Sequence, residues 1–380
     1  MRIKKNTGYL EGYYGKSLTW SERCELVDHL SQLGLDTYVY APKEDVYHRL
    51  RWKEPYSEAW LREFKRFTGY AQKKKVKVVY SIAPGLSFDY TSEDDYALLI
   101  HKCFKVLKKG ASGIALLMDD VPLSLPPKNQ KSFTSLGAAH NQLIKRFAEE
   151  LSKKERVSVW YCPTVYADEL NKDASYLKDL SQDFPKEVSV FWTGTHVITP
   201  TVNQKNMKAI LKLFPRVLFW DNYYANDYCP TRFFMGPLMG RTKKTVDGLT
   251  GYLLNPTGLL NTDKFYLSLL KGLLIDEEPL RTWKKSCIDL NWPKEVKMLL
   301  PLTQSPFTKP KALTEKVKNI YQDALYFLAF EWESSFKQEW FVYLQVLLRD
   351  LKVEASGRKA KGSFRRRFSV LLQETLFNKE

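Results

Sequence analysis

The stretch Ala115-Leu116-Leu117-Met118-Asp119-Asp120 is a short apolar run ending in two adjacent carboxylates. A run of this kind becomes a buried strand, and two acids where it leaves the core cost folding energy through desolvation and mutual repulsion. That cost points to chemical use. Glycoside cleavage commonly employs two carboxyl groups several ångströms apart, one on each side of the scissile bond. Neighbours on one strand point to opposite sides, so Asp119 and Asp120 cannot straddle a sugar, and their roles must differ. The arrangement suits substrate-assisted cleavage, in which an acetamido group on the sugar supplies the attacking oxygen and closes to an oxazoline. One carboxylate then holds the acetamido N–H and stays ionised. The other begins protonated, gives its proton to the leaving oxygen and later activates water. The alternative is a helix N-cap or a surface-loop acid, since paired aspartates after a strand are common.

Elements that could position such a pair recur along the chain. β-prone apolar runs occur at Tyr9–Gly12, Thr37–Ala41, Val76–Ile82, Gly113–Met118, Val157–Cys162, Val188–Trp192, Val217–Trp220 and Gly251–Leu254. Helical periodicity fills the intervals, as at Ser21–Leu33, Ala59–Lys73, Glu93–Lys108 and Leu136–Leu151. Strand–helix alternation repeated eight times predicts an α/β fold, a parallel (β/α)8 TIM barrel. Chemistry in such a barrel sits where the strands end. Those ends carry Gly12, Lys43, Asp119, Thr193, Asn222 and Asn255, with Tyr13, Tyr14, Tyr166, Trp192, Trp220, Tyr223 and Tyr224 around them. Hydroxyls need directional partners and the C–H face of a pyranose stacks on rings, so this mixture fits a sugar site.

After Leu254 the pattern changes. Asp263–Leu274 reads as the closing barrel helix, and Leu313–Leu351 and Ser363–Phe377 as long helices without a catalytic motif. The expected division is residues 1–278 for the barrel and 279–380 for a smaller α-helical region, which could also carry a homodimer contact.

Composition narrows the class. The 380 residues carry a formal net charge of +16, with the densest basic cluster at Arg358, Lys359, Lys361, Arg365, Arg366 and Arg367. A solvated basic face is the plain reading, with contact to nucleic acid, an anionic membrane or an acidic partner as the alternative, and no helix-turn-helix or RNA-recognition pattern points to nucleic acid. No apolar run approaches the roughly 20 residues that cross a bilayer. The basic N-terminus lacks the apolar core of a signal peptide. Five scattered cysteines, with no paired metal-ligand spacing, fit a reducing compartment. A cytoplasmic protein without a metal or cofactor is expected.

Several segments together resemble the catalytic domain of glycoside hydrolase family 84, the β-N-acetylglucosaminidases. They are Glu11-Gly12-Tyr13-Tyr14-Gly15, Tyr40-Ala41-Pro42-Lys43-Glu44-Asp45 with His48-Arg49, Ser81 to Leu86, Ala115 to Asp120, Cys162 to Tyr166, Trp192-Thr193-Gly194, Trp220 to Tyr228, and Leu254-Asn255-Pro256. They occur in the family's order. The resemblance implies that Asp119 orients and polarises the acetamido group and that Asp120 is the general acid/base. It implies that Tyr166 contacts the acetamido carbonyl, and that Cys162, Thr193 and Trp220 line the pocket for its methyl. Gly12, Lys43, Asn222, Asp227 and Asn255 match positions that hydrogen-bond the sugar, with Asp227 on the outer hydroxyls. The implied substrates are O-GlcNAc-modified proteins or other GlcNAc-bearing glycans; a silent sugar-binding protein is the alternative. Taken singly, Lys43 would be a surface lysine, Trp192 and Trp220 barrel core, Cys162 a small buried hydrophobe and Asn255-Pro256 a turn. The resemblance departs at Val121-Pro122, where another acid is expected, and fades beyond Asn255.

Overall fold

The computed structural model describes residues 6–153, 157–172, 174–308 and 313–355. The chain divides into two compact units, one of residues 1–222 and 240–255, the other of residues 223–239 and 256–380.

The first unit holds a closed parallel barrel of eight strands in sequence order. They are β1 (Thr7–Glu11), β2 (Thr37–Tyr40), β3 (Lys77–Ile82), β4 (Gly113–Leu117), β5 (Ser158–Cys162), β6 (Ser189–Trp192), β7 (Val217–Asp221) and β8 (Gly251–Leu254). Every strand stands where the apolar runs predict it. The helices between them are α1 (Trp20–Leu33), α2 (Glu58–Lys73), α3 (Glu93–Leu107), α4 (Leu136–Ser152), α5 (Ser175–Leu180), α6 (Gln204–Leu213) and α7 (Lys243–Asp247). The first four start from a hydroxyl cap. Thr19, Ser57, Ser92 and Ser135 each accept from a backbone N–H in the first turn, which satisfies a donor the helix cannot.

Side chains alternate along a strand, so every second residue of a closed barrel enters its interior. Leu10, Val39, Ala41, Val79, Ala83, Ala115, Leu117, Trp160, Cys162, Phe191, Leu218, Trp220 and Leu253 form one buried cluster. Counting two residues on from the last interior positions gives Gly12, Lys43, Asp119, Thr193, Asn222 and Asn255. The period that packs the core therefore also selects the residues at its mouth. Trp192 is out of phase with Phe191 and belongs to the outward face, buried there and not at the sugar edge.

The second unit contains α8 (Leu260–Leu274), α9 (Pro279–Asp289), α10 (Lys294–Met298), α11 (Leu300–Thr303), α12 (Glu315–Tyr326) and α13 (Ser335–Ala355). The segment 223–239 belongs to it. Tyr224 stacks on Tyr266 with ring centroids 3.9 Å apart, and Trp283 Nε1 donates to the Met235 carbonyl at 2.5 Å. This grouping puts the division earlier than the expected 278/279 boundary and assigns α8, read from sequence as the closing barrel helix, to the second unit. The single helix expected over Leu313–Leu351 is broken. A π-helical turn at Phe327–Glu331 ends in extended Trp332, and Ser334 Oγ accepts from Phe336 N as the chain restarts. The helix expected at Ser363–Phe377 and the basic cluster Arg358–Arg367 lie outside the described residues. Among the described residues no helix is long and apolar enough to cross a membrane, and no three His, Cys, Asp or Glu side chains group as metal ligands.

Candidate active site

Asp119 continues the inward face of β4 and is nearly fully buried. Its Oδ2 accepts from the Lys43 ammonium at 2.9 Å, both side chains being almost without solvent contact. Lys43 reaches it from the end of β2. Burial alone pulls the Lys43 ammonium down, but the charges of Asp119 and Asp120 outweigh this and hold it above the ordinary lysine value. Burial likewise pushes the Asp119 carboxyl up, and Lys43 more than offsets it, so Asp119 lies below the usual carboxylate range. The other oxygen, Asp119 Oδ1, is buried and has no hydrogen-bond partner among the described residues. A buried carboxylate oxygen left this way is costly unless something arrives to donate to it.

Asp120 differs in every respect. Its backbone is left-handed, φ 53°, so its side chain leaves the strand alternation and turns away from Asp119. About a third of the side chain is exposed (34%). Tyr14 donates to Oδ2 and Tyr166 to Oδ1, each at 3.0 Å. Burial first, then the Asp120 charge, keeps the Tyr166 phenol well above its ordinary value, so it is a standing donor. The Tyr166 carbonyl in turn accepts from Thr193 N at 2.9 Å, tying this loop to the end of β6.

On the opposite side, polar groups from β1, β7 and β8 join in one chain. Trp220 Nε1 donates to Asn222 Oδ1 at 2.9 Å, Asn255 Nδ2 to the same oxygen at 2.8 Å, and Gly12 N to Asn255 Oδ1 at 3.0 Å. Asn222 Nδ2 is held by the Val197 carbonyl at 2.8 Å. Each amide nitrogen keeps a second N–H for a ligand. Gly12 must be glycine, because a Cβ there would stand 2.7 Å from the Trp220 ring and closer still to Leu10. Cys162 is buried in the barrel cluster, its thiol pushed up by burial and by Asp119, which suits a wall and not a nucleophile.

The first unit thus brings together Gly12, Lys43, Asp119, Asp120, Cys162, Tyr166, Thr193, Trp220, Asn222 and Asn255 at the strand ends. Asp227 lies in the second unit, where its Oδ1 accepts from Tyr228 N at 2.9 Å. Of the aromatic residues expected at the sugar edge, Tyr14, Tyr166 and Trp220 are there. Tyr13 is buried with its hydroxyl on Tyr9, and Tyr223 and Tyr224 belong to the second unit. Sequence reasoning named Arg49 only as part of a motif. In the structure its guanidinium donates to the Asp120 carbonyl at 3.1 Å and to the Tyr14 hydroxyl at 3.0 Å. Spacing carried no signal for this, because a long loop brings the arginine to the acid.

Comparison with known proteins supplies the context for this geometry. A family model described as β-N-acetylglucosaminidase (NAGidase) matches residues 7–287. Protein O-GlcNAcase of Rattus norvegicus is 29% identical over 254 residues, as is that of Mus musculus; the match takes in 66% of this chain and 28% of either relative. The chain therefore spans little more than a quarter of the length of these curated relatives. A mutant O-GlcNAc hydrolase of Thermobaculum terrenum superposes with a TM-score of 0.79 at 25% identity, covering 92% of this chain and 83% of that one. CpGH84B, at 22% identity, shares the fold with a TM-score of 0.75 over 93% of this chain and 70% of its own.

Proposed function

This chain belongs to the β-N-acetylglucosaminidase family, glycoside hydrolase family 84, and from that premise we propose that it is a retaining enzyme removing O-linked N-acetylglucosamine from Ser and Thr of proteins. The observation that carries the reading is the half-satisfied Asp119, with Oδ2 fixed by buried Lys43 and Oδ1 buried without a partner. An amide N–H is the donor that fits an ionised, inward-facing oxygen.

In this reading the sugar enters with its acetamido group against Asp119, and Cys162, Thr193 and Trp220 enclose the methyl. The acetamido oxygen attacks the anomeric carbon as the bond to the aglycone oxygen breaks, and Asp120 passes its proton to that oxygen. Asp119 stays ionised and stabilises the positive charge that develops on the oxazoline. Asp120, now a carboxylate, takes a proton from water as the water oxygen bonds the anomeric carbon and the oxazoline opens. Two inversions leave the configuration unchanged. Gly12, Asn222 and Asn255 hold the sugar hydroxyls, and Tyr166 turns its one hydrogen from Asp120 to the acetamido carbonyl as the sugar binds. The protein aglycone follows the name protein O-GlcNAcase of the curated relatives.

Hydrolysis of the methylumbelliferyl N-acetylglucosaminide beside its galacto epimer tests the activity, with strong preference for the gluco form expected. Progressive fluorination of the acetamido methyl should slow the reaction step by step, because it drains the attacking oxygen of electron density. Binding without turnover would mean a silent sugar-binding protein, and a rate indifferent to fluorination would remove the substrate's amide from the mechanism.

A further inference from the structure

Resting on the assignment of Asp120 as acid/base, we propose that Arg49 is the positioning residue that aims the Asp120 carboxyl, acting through that residue's backbone carbonyl and through the Tyr14 phenol. Asp120 sits in the left-handed region at φ 53°, an uncommon backbone for a non-glycine residue even though aspartate is among the more tolerant, and here it carries the side chain out of the strand alternation. The group that holds it there is Arg49. One arm of the guanidinium grips the Asp120 carbonyl at 3.1 Å. The other donates at 3.0 Å to Tyr14 Oη, which passes its own hydrogen to Asp120 Oδ2 at 3.0 Å, and the same guanidinium nitrogen stands 3.8 Å from that carboxylate oxygen. Main chain and side chain of the same acid are thus held by one planar fork, which a single ammonium could not reproduce.

The fork is itself held rigidly. The Ala83 N–H donates to the carbonyl of neighbouring His48 at 2.9 Å, and His48 Nδ1 bonds the Ser81 carbonyl at 2.8 Å. On the far side, the buried Lys102 ammonium donates to the carbonyls of Tyr47, Trp52 and Glu54 at 2.6, 2.7 and 2.7 Å. Anchors on β3 and α3 therefore bracket Arg49 along its loop. Catalytic side chains need this kind of support to keep a productive direction. Tyr14, 49% exposed, bonds the carboxylate oxygen of Asp120 that Tyr166 does not.

Proton donation matters only when the leaving group is poor, which separates aiming from mere folding. The test compares kcat/KM for a dinitrophenyl and a methyl N-acetyl-β-glucosaminide in wild type, Arg49→Met, Arg49→Lys and Asp120→Ala, with thermal unfolding recorded for each. Arg49→Met is expected to lose at least about tenfold more on the methyl than on the dinitrophenyl glycoside, a fraction of what a full general acid supplies. Arg49→Lys, able to serve one acceptor at a time, is expected to fall between it and wild type, and it carries the test if the Met variant does not fold. Equal losses on both glycosides in the folded Arg49 variants, with Asp120→Ala still biased, would overturn the proposal alone. A Asp120→Ala variant without bias would instead overturn the acid/base assignment beneath it.

Discussion

Strand-end carboxylates occur in this barrel in two settings, and the contrast between them separates architecture from chemistry. Glu11 on β1 and Asp221 on β7 point outward, and every oxygen is taken. Arg23 grips Glu11 through Nε and Nη2 at 2.9 and 2.7 Å, and Tyr38 adds a third donor at 2.7 Å. Arg241 does the same for Asp221 at 3.0 and 2.7 Å, with Tyr252 as the third donor. These are closed sets of charge-assisted bonds. Asp119, on the inward face, has one lysine on one oxygen and no protein partner for the other among the described residues. Of these three strand-end acids, the two saturated ones hold the barrel together, and Asp119, left half-satisfied, is where a substrate can be recognised.

The sharpest way to break this contrast is to remove each acid in turn. Asp119→Ala is expected to lower kcat/KM about 10³-fold, the usual scale for losing an electrostatic stabiliser of a transition state. The loss should appear with good and poor leaving groups alike. Glu11→Ala should do the reverse. It strands the Arg23 guanidinium, which Glu11 holds above its ordinary value against the pull of burial, in a site with 5% of its side chain exposed. An uncompensated buried charge costs about 3–5 kcal/mol. Denaturant unfolding should register that loss, while kcat of the protein that remains folded stays near wild type. A Glu11 variant that is stable but inactive would erase the distinction.

Acidity sharpens it further. Asp119 lies below the usual carboxylate range because Lys43 outweighs the opposing effect of burial. A group depressed in this way contributes stability above its unfolded pKa and loses it as pH falls through the folded one. The proposed mechanism uses Asp119 ionised, so wild-type activity is expected to persist into acid. Lys43→Met removes the larger lowering charge and leaves the raising effect of burial against the smaller pull of Arg49. The acidic limb of kcat/KM should therefore move to higher pH. An unmoved limb would mean that Lys43 holds the sugar without tuning Asp119.

Much of this was legible from sequence because the barrel uses one period twice. The alternation that packs Leu117, Trp220 and Leu253 inside also places Asp119, Asn222 and Asn255 at the mouth. What escaped is set by contacts between segments distant in sequence. Apolar content continues through Phe327–Trp332, so periodicity alone reads one helix where a π-turn breaks it. Tyr223 and Tyr224 directly follow β7 and read as part of its edge, yet their partners are Pro237, Gly236 and Tyr266. Arg49 reaches an acid 71 residues away by loop geometry that no spacing encodes.

The smallest effect expected concerns Thr164, and it guards the interpretation of the larger ones. Its hydroxyl donates to the Met118 carbonyl at 2.7 Å, and Met118 N donates to the Cys162 carbonyl at 2.8 Å, so the end of β4 is pinned to β5 just before the acidic pair. Thr164→Val keeps the branched shape and removes only the donor. A lost neutral hydrogen bond of this kind costs about 1 kcal/mol, which denaturant unfolding can read. Met118 precedes both acids, so loosening it should slow good and poor leaving groups by the same modest factor. A leaving-group bias in Thr164→Val would mean that any slack at the end of β4 imitates the loss of Asp120. Only an unbiased response leaves the bias expected of Arg49 as a signature of aim.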